Sequence, residues 1–168
     1  MRIVRLVRGL RVVVALAVGS FAFVLPARPS EASTVFAGAC TVNNLPFLST
    51  VTPSTLGPVS TSLSFTAGCI YHSDLTSSMT GAGFVSGTVG ACGVGVLTQQ
   101  WYSVKTFNME FEGLLVVVND GASLTLTFNS TPPALAFAGT LVPTRTNSAG
   151  CPAGWTGALV VEDPTLDS

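Results

Sequence analysis

Lys105 to Phe128 reads KTFNMEFEGLLVVVNDGASLTLTF, and its pattern decides the fold class. Phe107, Met109 and Phe111 alternate with Asn108, Glu110 and Glu112. A period of two sends successive side chains to opposite faces of an extended strand. From Leu114 to Val118 every residue is apolar, the pattern of a central strand covered on both faces. Asn119-Asp120-Gly121 then supplies residues that tolerate the positive φ of a tight hairpin turn. The return arm sets Leu124, Leu126 and Phe128 against Ser123, Thr125 and Thr127. The stretch therefore predicts a β-hairpin.

The same texture extends outward. Val59 to Tyr71 is the longest alternating run: Val59, Leu63, Phe65, Ala67, Cys69 and Tyr71 share one parity, and Ser60, Ser62, Ser64, Thr66 and Gly68 the other. That parity places Cys69 on a buried face. Further strands are expected over Thr34–Val42, as a short edge over Phe47–Val51, and over Leu97–Thr106, Ala134–Val142 and Trp155–Val161. Phe84–Val96 is Gly-rich and β-like. Turns or loops are expected at Asn43–Pro46, at Pro53–Pro58, over the polar stretch Ser73–Gly83, at Asn129–Pro133, and over Thr144–Gly154. No apolar run has a 3.6-residue period, and Gly, Thr and Val disfavour helix throughout. The expected fold is all-β: an antiparallel β-sandwich or barrel of about eight to nine strands with two disulfides.

The first 32 residues read as an address. Arg2, Arg5, Arg8 and Arg11 precede an uncharged apolar run, Val12–Leu25, which Pro26 ends. Ser30-Glu31-Ala32 has small residues at the two positions a signal peptidase reads, so cleavage is expected between Ala32 and Ser33. The apolar run is shorter than the roughly 20 residues a membrane-spanning helix needs. Residues 33–168 then form a single all-β domain with a short acidic tail, exported and extracellular.

Beyond Ala32 the fixed positive charges are Lys105 and Arg145. They stand against Asp74, Glu110, Glu112, Asp120, Glu162, Asp163 and Asp167, a net charge of −5. Nucleic acid and anionic membrane surfaces both call for a basic footprint, and neither is expected as a partner. Cys40, Cys69, Cys92 and Cys151 all lie in the exported part, an even count that implies two disulfides in an oxidising compartment. Four cysteines allow three pairings, and the sequential one, Cys40–Cys69 and Cys92–Cys151, is the one expected here. No C-x-x-C pair and only one histidine, His72, are present, so no metal or cofactor is expected.

Three segments carry a resemblance. LSFTAGC (Leu63–Cys69), GFVSGTVGAC (Gly83–Cys92) and WYSVKTF (Trp101–Phe107) resemble stretches of a loosely defined group of exported β-rich proteins from high-GC Gram-positive bacteria. That resemblance implies a secreted β fold and no mechanism. VTPSTLGPVS (Val51–Ser60) is similar to the opening strand of the small acidic apoproteins that carry enediyne chromophores. Those proteins close short disulfide loops, whereas the cysteines here are widely spaced.

Few residues suggest chemistry. His72 and Asp74, with serines nearby, allow a Ser-His-Asp triad on paper, but no G-x-S-x-G elbow accompanies them. Glu110 and Glu112 on one strand face would stand about 7 Å apart, within the spread of inverting glycosidases. MEFEG resembles the acidic strand of β-jelly-roll glucanases, with Phe111 in place of the central Asp. A catalytic role would require the pair to line a cleft; otherwise they solvate a strand face. Trp155 reads as core. Trp101 and Tyr102 are adjacent on a strand and point to opposite faces, so one of them is a candidate anchor for a glycan or protein partner. The expected function is a non-catalytic extracellular interaction or structural module. The alternatives are a binder of a small apolar ligand or glycan, through Trp101, Tyr102, Glu110 and Glu112, and a glycosidase-like enzyme using the two glutamates.

Overall fold

The computed structural model describes residues 37–71, 74–132 and 134–162. Alternation of small polar and apolar residues drives each segment into extended chain, and the chain meanders. The strands are β1 (Gly38–Pro46), β2 (Gly57–Tyr71), β3 (Thr76–Val89), β4 (Gly95–Thr106), β5 (Met109–Asn119), β6 (Leu124–Ser130), β7 (Ala136–Thr146) and β8 (Pro152–Glu162). Each pairs antiparallel with the next, and β8 pairs back on β1, closing an eight-stranded barrel. Eight strands leave an interior just wide enough for side chains to fill. Trp155, Tyr102, Phe111, Phe128, Leu63, Leu97, Leu115 and Leu126 are buried there. Phe128 stacks on Phe137 at 5.2 Å, and Phe65 meets Phe137 edge-on at 6.0 Å. The interior is apolar, and the outer face mixes Ser and Thr with exposed apolar residues such as Ile70, Phe84 and Val160. None of the described helices is long and apolar enough to cross a membrane.

Both bridges form in the sequential pairing. Cys40 and Cys69 face each other across β1 and β2. Cys92–Cys151 links the turn after β3 to the turn after β7 at one end of the barrel. Two asparagines reinforce that end. Asn147 donates from Nδ2 to the carbonyls of Ser49 and Val51 at 3.1 and 2.8 Å, while its Oδ1 accepts from the Cys151 N–H. Asn119, buried, donates to the Gly93 carbonyl at 3.0 Å. Two disulfides in one chain fit an oxidising environment.

Several expectations need correction. Phe47–Val51 is not an edge strand: Phe47, Leu48 and Val51 fold over the barrel end as a buried plug. Asn43–Pro46 is not a turn but the second half of β1, carried past a bulge at Asn43–Asn44, where Asn44 has φ 52°. Ser73–Gly83 is not a loop: from Thr76 onward it is β3, paired with β2 from Ile70↔Thr76 to Gly57↔Val89. Its buried inward positions as far as Gly83 are Met79 and Gly81, and Gly81 gives no apolar signal. Glycine is required there because a Cβ would lie 2.8 Å from the Tyr102 hydroxyl and closer still to the Phe65 ring. Thr144–Gly154 is shorter as a loop than expected, with β7 running to Thr146 and β8 beginning at Pro152.

The hairpin expected over Lys105–Phe128 is present, with two changes. β4 and β5 turn at Phe107-Asn108, both at positive φ, so Phe107 belongs to a turn and not to an arm. Leu114–Val118 is covered on one face only: Leu115 and Val117 point inward, while Leu114 and Val118 are exposed. Leu124, Leu126 and Phe128 face the core as expected. The expected signal segment with its cleavage site at Ala32 and Ser33, His72, and the tail beyond Glu162 lie outside the described residues.

Candidate functional site

Trp101 and Tyr102 sit where β4 breaks step. Register with β5 runs from Gln99↔Leu115 to Tyr102↔Gly113, so Gln100 and Trp101 together oppose Leu114. The extra residue is a β-bulge, a device that re-aims side chains. Gln100 and Trp101 both point outward, and Tyr102 turns inward. Bulging leaves backbone groups without ladder partners, and the Gln99 side chain meets them. Its Nε2 donates to the Phe84 carbonyl at 2.8 Å, and its Oε1 accepts from the Trp101 N–H at 3.3 Å. One amide thus ties the backbones that carry Phe84 and Trp101.

The outer surface at this point is apolar. Trp101 is 63% exposed and Phe84 59%. Phe84 lies on β3 in the gap between Ala82↔Ser103 and Ser86↔Thr98, opposite the bulge. Leu114 continues the row onto β5, and Val118 and Val96 extend it as an exposed facing pair. Single exposed apolar residues are ordinary, but a contiguous group with an aromatic centre marks a contact surface. Acids flank it along β5, with Glu112 and Glu110 at one end and Asp120 at the other. The Asp120 carboxyl is held below the usual range by the Ala122 and Ser123 backbone N–H groups.

Tyr102 is not part of that surface. It is fully buried, and its hydroxyl donates to the Leu63 carbonyl at 2.7 Å. Burial raises its pKa well above 10.0, the ordinary value, and Tyr71, buried against Thr106, is raised for the same reason. The expected pair of ligand-facing aromatics is therefore one exposed Trp and one structural Tyr.

Glu110 and Glu112 are both exposed on the outer face of β5. Glu110 accepts from the Ser103 hydroxyl at 2.6 Å and faces Lys105 across the ladder. A groove of about 360 Å³ is lined by Ser77, Ser78, Thr80, Lys105, Thr106, Phe107 and Asn108, and neither glutamate is among its lining residues. Asp74, just before β3, has φ 65°, and its proposed partner His72 lies outside the described residues. No cluster that could hold a metal ion occurs among the described residues. Trp155 is core, its indole N–H donating to the Phe47 carbonyl.

Sequence reasoning missed Phe84 and Leu114. Phe84 sat in a glycine-rich stretch of uncertain parity, and Leu114 in a run read as covered on both faces. The clue was the Gln-Gln-Trp-Tyr order, which lengthens β4 by one residue and sets two neighbours outward. Comparison with protein-family models, with curated proteins and with solved structures returned no match.

Proposed function

We propose that this protein is a secreted, non-catalytic β-barrel that serves as an extracellular interaction module, meeting its partner through the outer face of β3, β4 and β5. The observation that carries this reading is the exposed row Phe84–Trp101–Leu114, fixed in place by Gln99 rather than left to a mobile loop. Rigid aromatic anchors dominate the energetics of such contacts. The filled interior argues against a small apolar ligand inside the barrel. Two carboxylates side by side on the exposed outer face of one strand, neither lining a groove, argue against glycoside hydrolysis, which needs them to face each other across a bound sugar. A glycan partner would use the same Trp101 by stacking, with Gln100 and Glu112 beside it.

A photo-crosslinking amino acid at position 101, in protein returned to the surface and medium of the producing cells, tests this. Discrete adducts are expected, lost when Phe84 and Leu114 become Ser and absent when the crosslinker stands at Thr140. Equal labelling from both positions would overturn it. Glycan arrays probed with the protein and with Trp101→Ser separate a sugar partner from a protein one.

A further inference from the structure

A second surface lies on the opposite flank of β3, at the edge of β2. Successive residues of an antiparallel strand send their N–H and C=O groups to opposite neighbours. Three observations fix which way β2 alternates. The Tyr71 N–H donates to the Leu75 carbonyl on the β3 side at 2.7 Å. The Leu63 carbonyl accepts from Tyr102, which reaches it from beyond β3. Cys69 faces Cys40 with Cα atoms 4.0 Å apart, the close spacing of a pair that exchanges no backbone hydrogen bonds, so its own groups turn to β3. Odd-numbered residues of β2 therefore bond β3, and Ser60, Ser62 and Ser64 turn their backbone groups toward β1.

β1 does not meet them. Its register with β2 ends at Val42↔Ala67, and the Asn43–Asn44 bulge bends it away along β8. Ser60, Ser62 and Ser64 then have no backbone hydrogen-bond partner on that side among the described residues. Two grooves flank the gap. One, of about 380 Å³, lies between Asn43–Asn44 and Ser64–Thr66. The other, of about 260 Å³, lies between Thr50, Thr55 and Ser60–Thr61. Natural edges are blunted with Lys, Pro or bulges, and Val59–Thr66 has none of these.

We infer that the β2 edge is a strand-addition site that takes one extended, uncharged segment of a partner polypeptide with small side chains. Neither groove is lined by a charged residue, which selects against Lys, Arg, Asp and Glu at the paired positions. The gap is bounded on its far side by β1 and the loop after it, which favours a single extended strand over the sheet edge of a second barrel. Main-chain hydrogen bonds supply affinity, and the two grooves accept alternate side chains.

The probe is acetyl-Thr-Val-Thr-Val-Thr-amide, with its analogue N-methylated at every residue as control, titrated into the ¹⁵N-labelled protein. Saturable shifts and slowed exchange are expected at the Ser60, Ser62 and Ser64 amides, with the methylated peptide inert. Ser62→Pro removes an N–H that β3 does not use, so the barrel should fold and bind at least about tenfold more weakly. Should that variant misfold, the methylated control still decides the matter. No saturable binding at millimolar peptide, equal binding of the methylated analogue, or shifts centred on Trp101 would overturn the inference. So would protection of these amides that grows with protein concentration, which would make the occupant a second copy.

Discussion

β2 is bordered by two seams of different construction. Toward β3 it is paired along its length, from Gly57↔Val89 to Ile70↔Thr76, without a break in register. Toward β1 it is paired only from Gly38↔Tyr71 to Val42↔Ala67, and a disulfide spans that short ladder. The first seam is held by hydrogen bonds and by rings packed over Gly81, the second by a covalent link beside a gap. The barrel is thus closed with backbone where the side chains are smallest, and with sulfur where the ladder is shortest.

The largest expected effect falls on the long seam. Gly81→Val drives a side chain into Phe65 and Tyr102, and overpacking a filled interior should cost about 3 kcal/mol or more, read as a lower denaturant midpoint. A near-neutral result would mean the interior is not filled as described. Next is the short seam. Replacing Cys40 and Cys69 by Ala removes a bridge across 29 residues of chain and should cost about 3 kcal/mol, with faster amide exchange in Gly38–Val42 than in β3. Equal loosening of both seams would erase the contrast between them.

Tyr102→Phe leaves the Leu63 carbonyl without its donor and should cost about 1–2 kcal/mol. Tyr102 also sets a pH limit. Its folded pKa is raised above the unfolded value of 10.0, so its contribution is complete below that pH and declines as pH rises beyond it. Thermal unfolding should move to lower temperature above pH 10, less steeply in Tyr102→Phe, with Tyr71 accounting for part of the remaining slope. Smallest of all, Trp101→Ser on the outer face should change stability by no more than about 0.5 kcal/mol while removing the acrylamide-quenchable part of the fluorescence, because Trp155 is buried.

The contrast between seams also explains what the sequence could show. β2 was legible because Ser62, Ser64, Thr66 and Gly68 alternate strictly with the apolar Leu63, Phe65, Ala67 and Cys69. β3, its partner, was not, because Gly81 occupies an inward position where Phe65 and Tyr102 already fill the space, and a glycine carries no apolar mark. The Phe107-Asn108 turn escaped notice because neither residue is glycine, although both adopt positive φ. Phe47–Val51 has the composition of a strand but caps the barrel end. That role is set by distant residues, Asn147 and Ala153, whose neighbourhood no local pattern reveals. The sequential disulfides were one choice among three until β1 and β2 were seen side by side. At the candidate site, Trp101 was recognisable by type, and its outward aim followed from a bulge that only the register displays.

Residue-resolved amide exchange in the unliganded protein tests the split barrel most directly. Along β2, slow exchange is expected at Thr61, Leu63 and Phe65, fast exchange at Ser60, Ser62 and Ser64, and slow exchange at every amide from Gly68 to Ile70. Uniform protection from Ser60 to Ile70 would contradict it, since β2 would then be paired on both sides along its whole length.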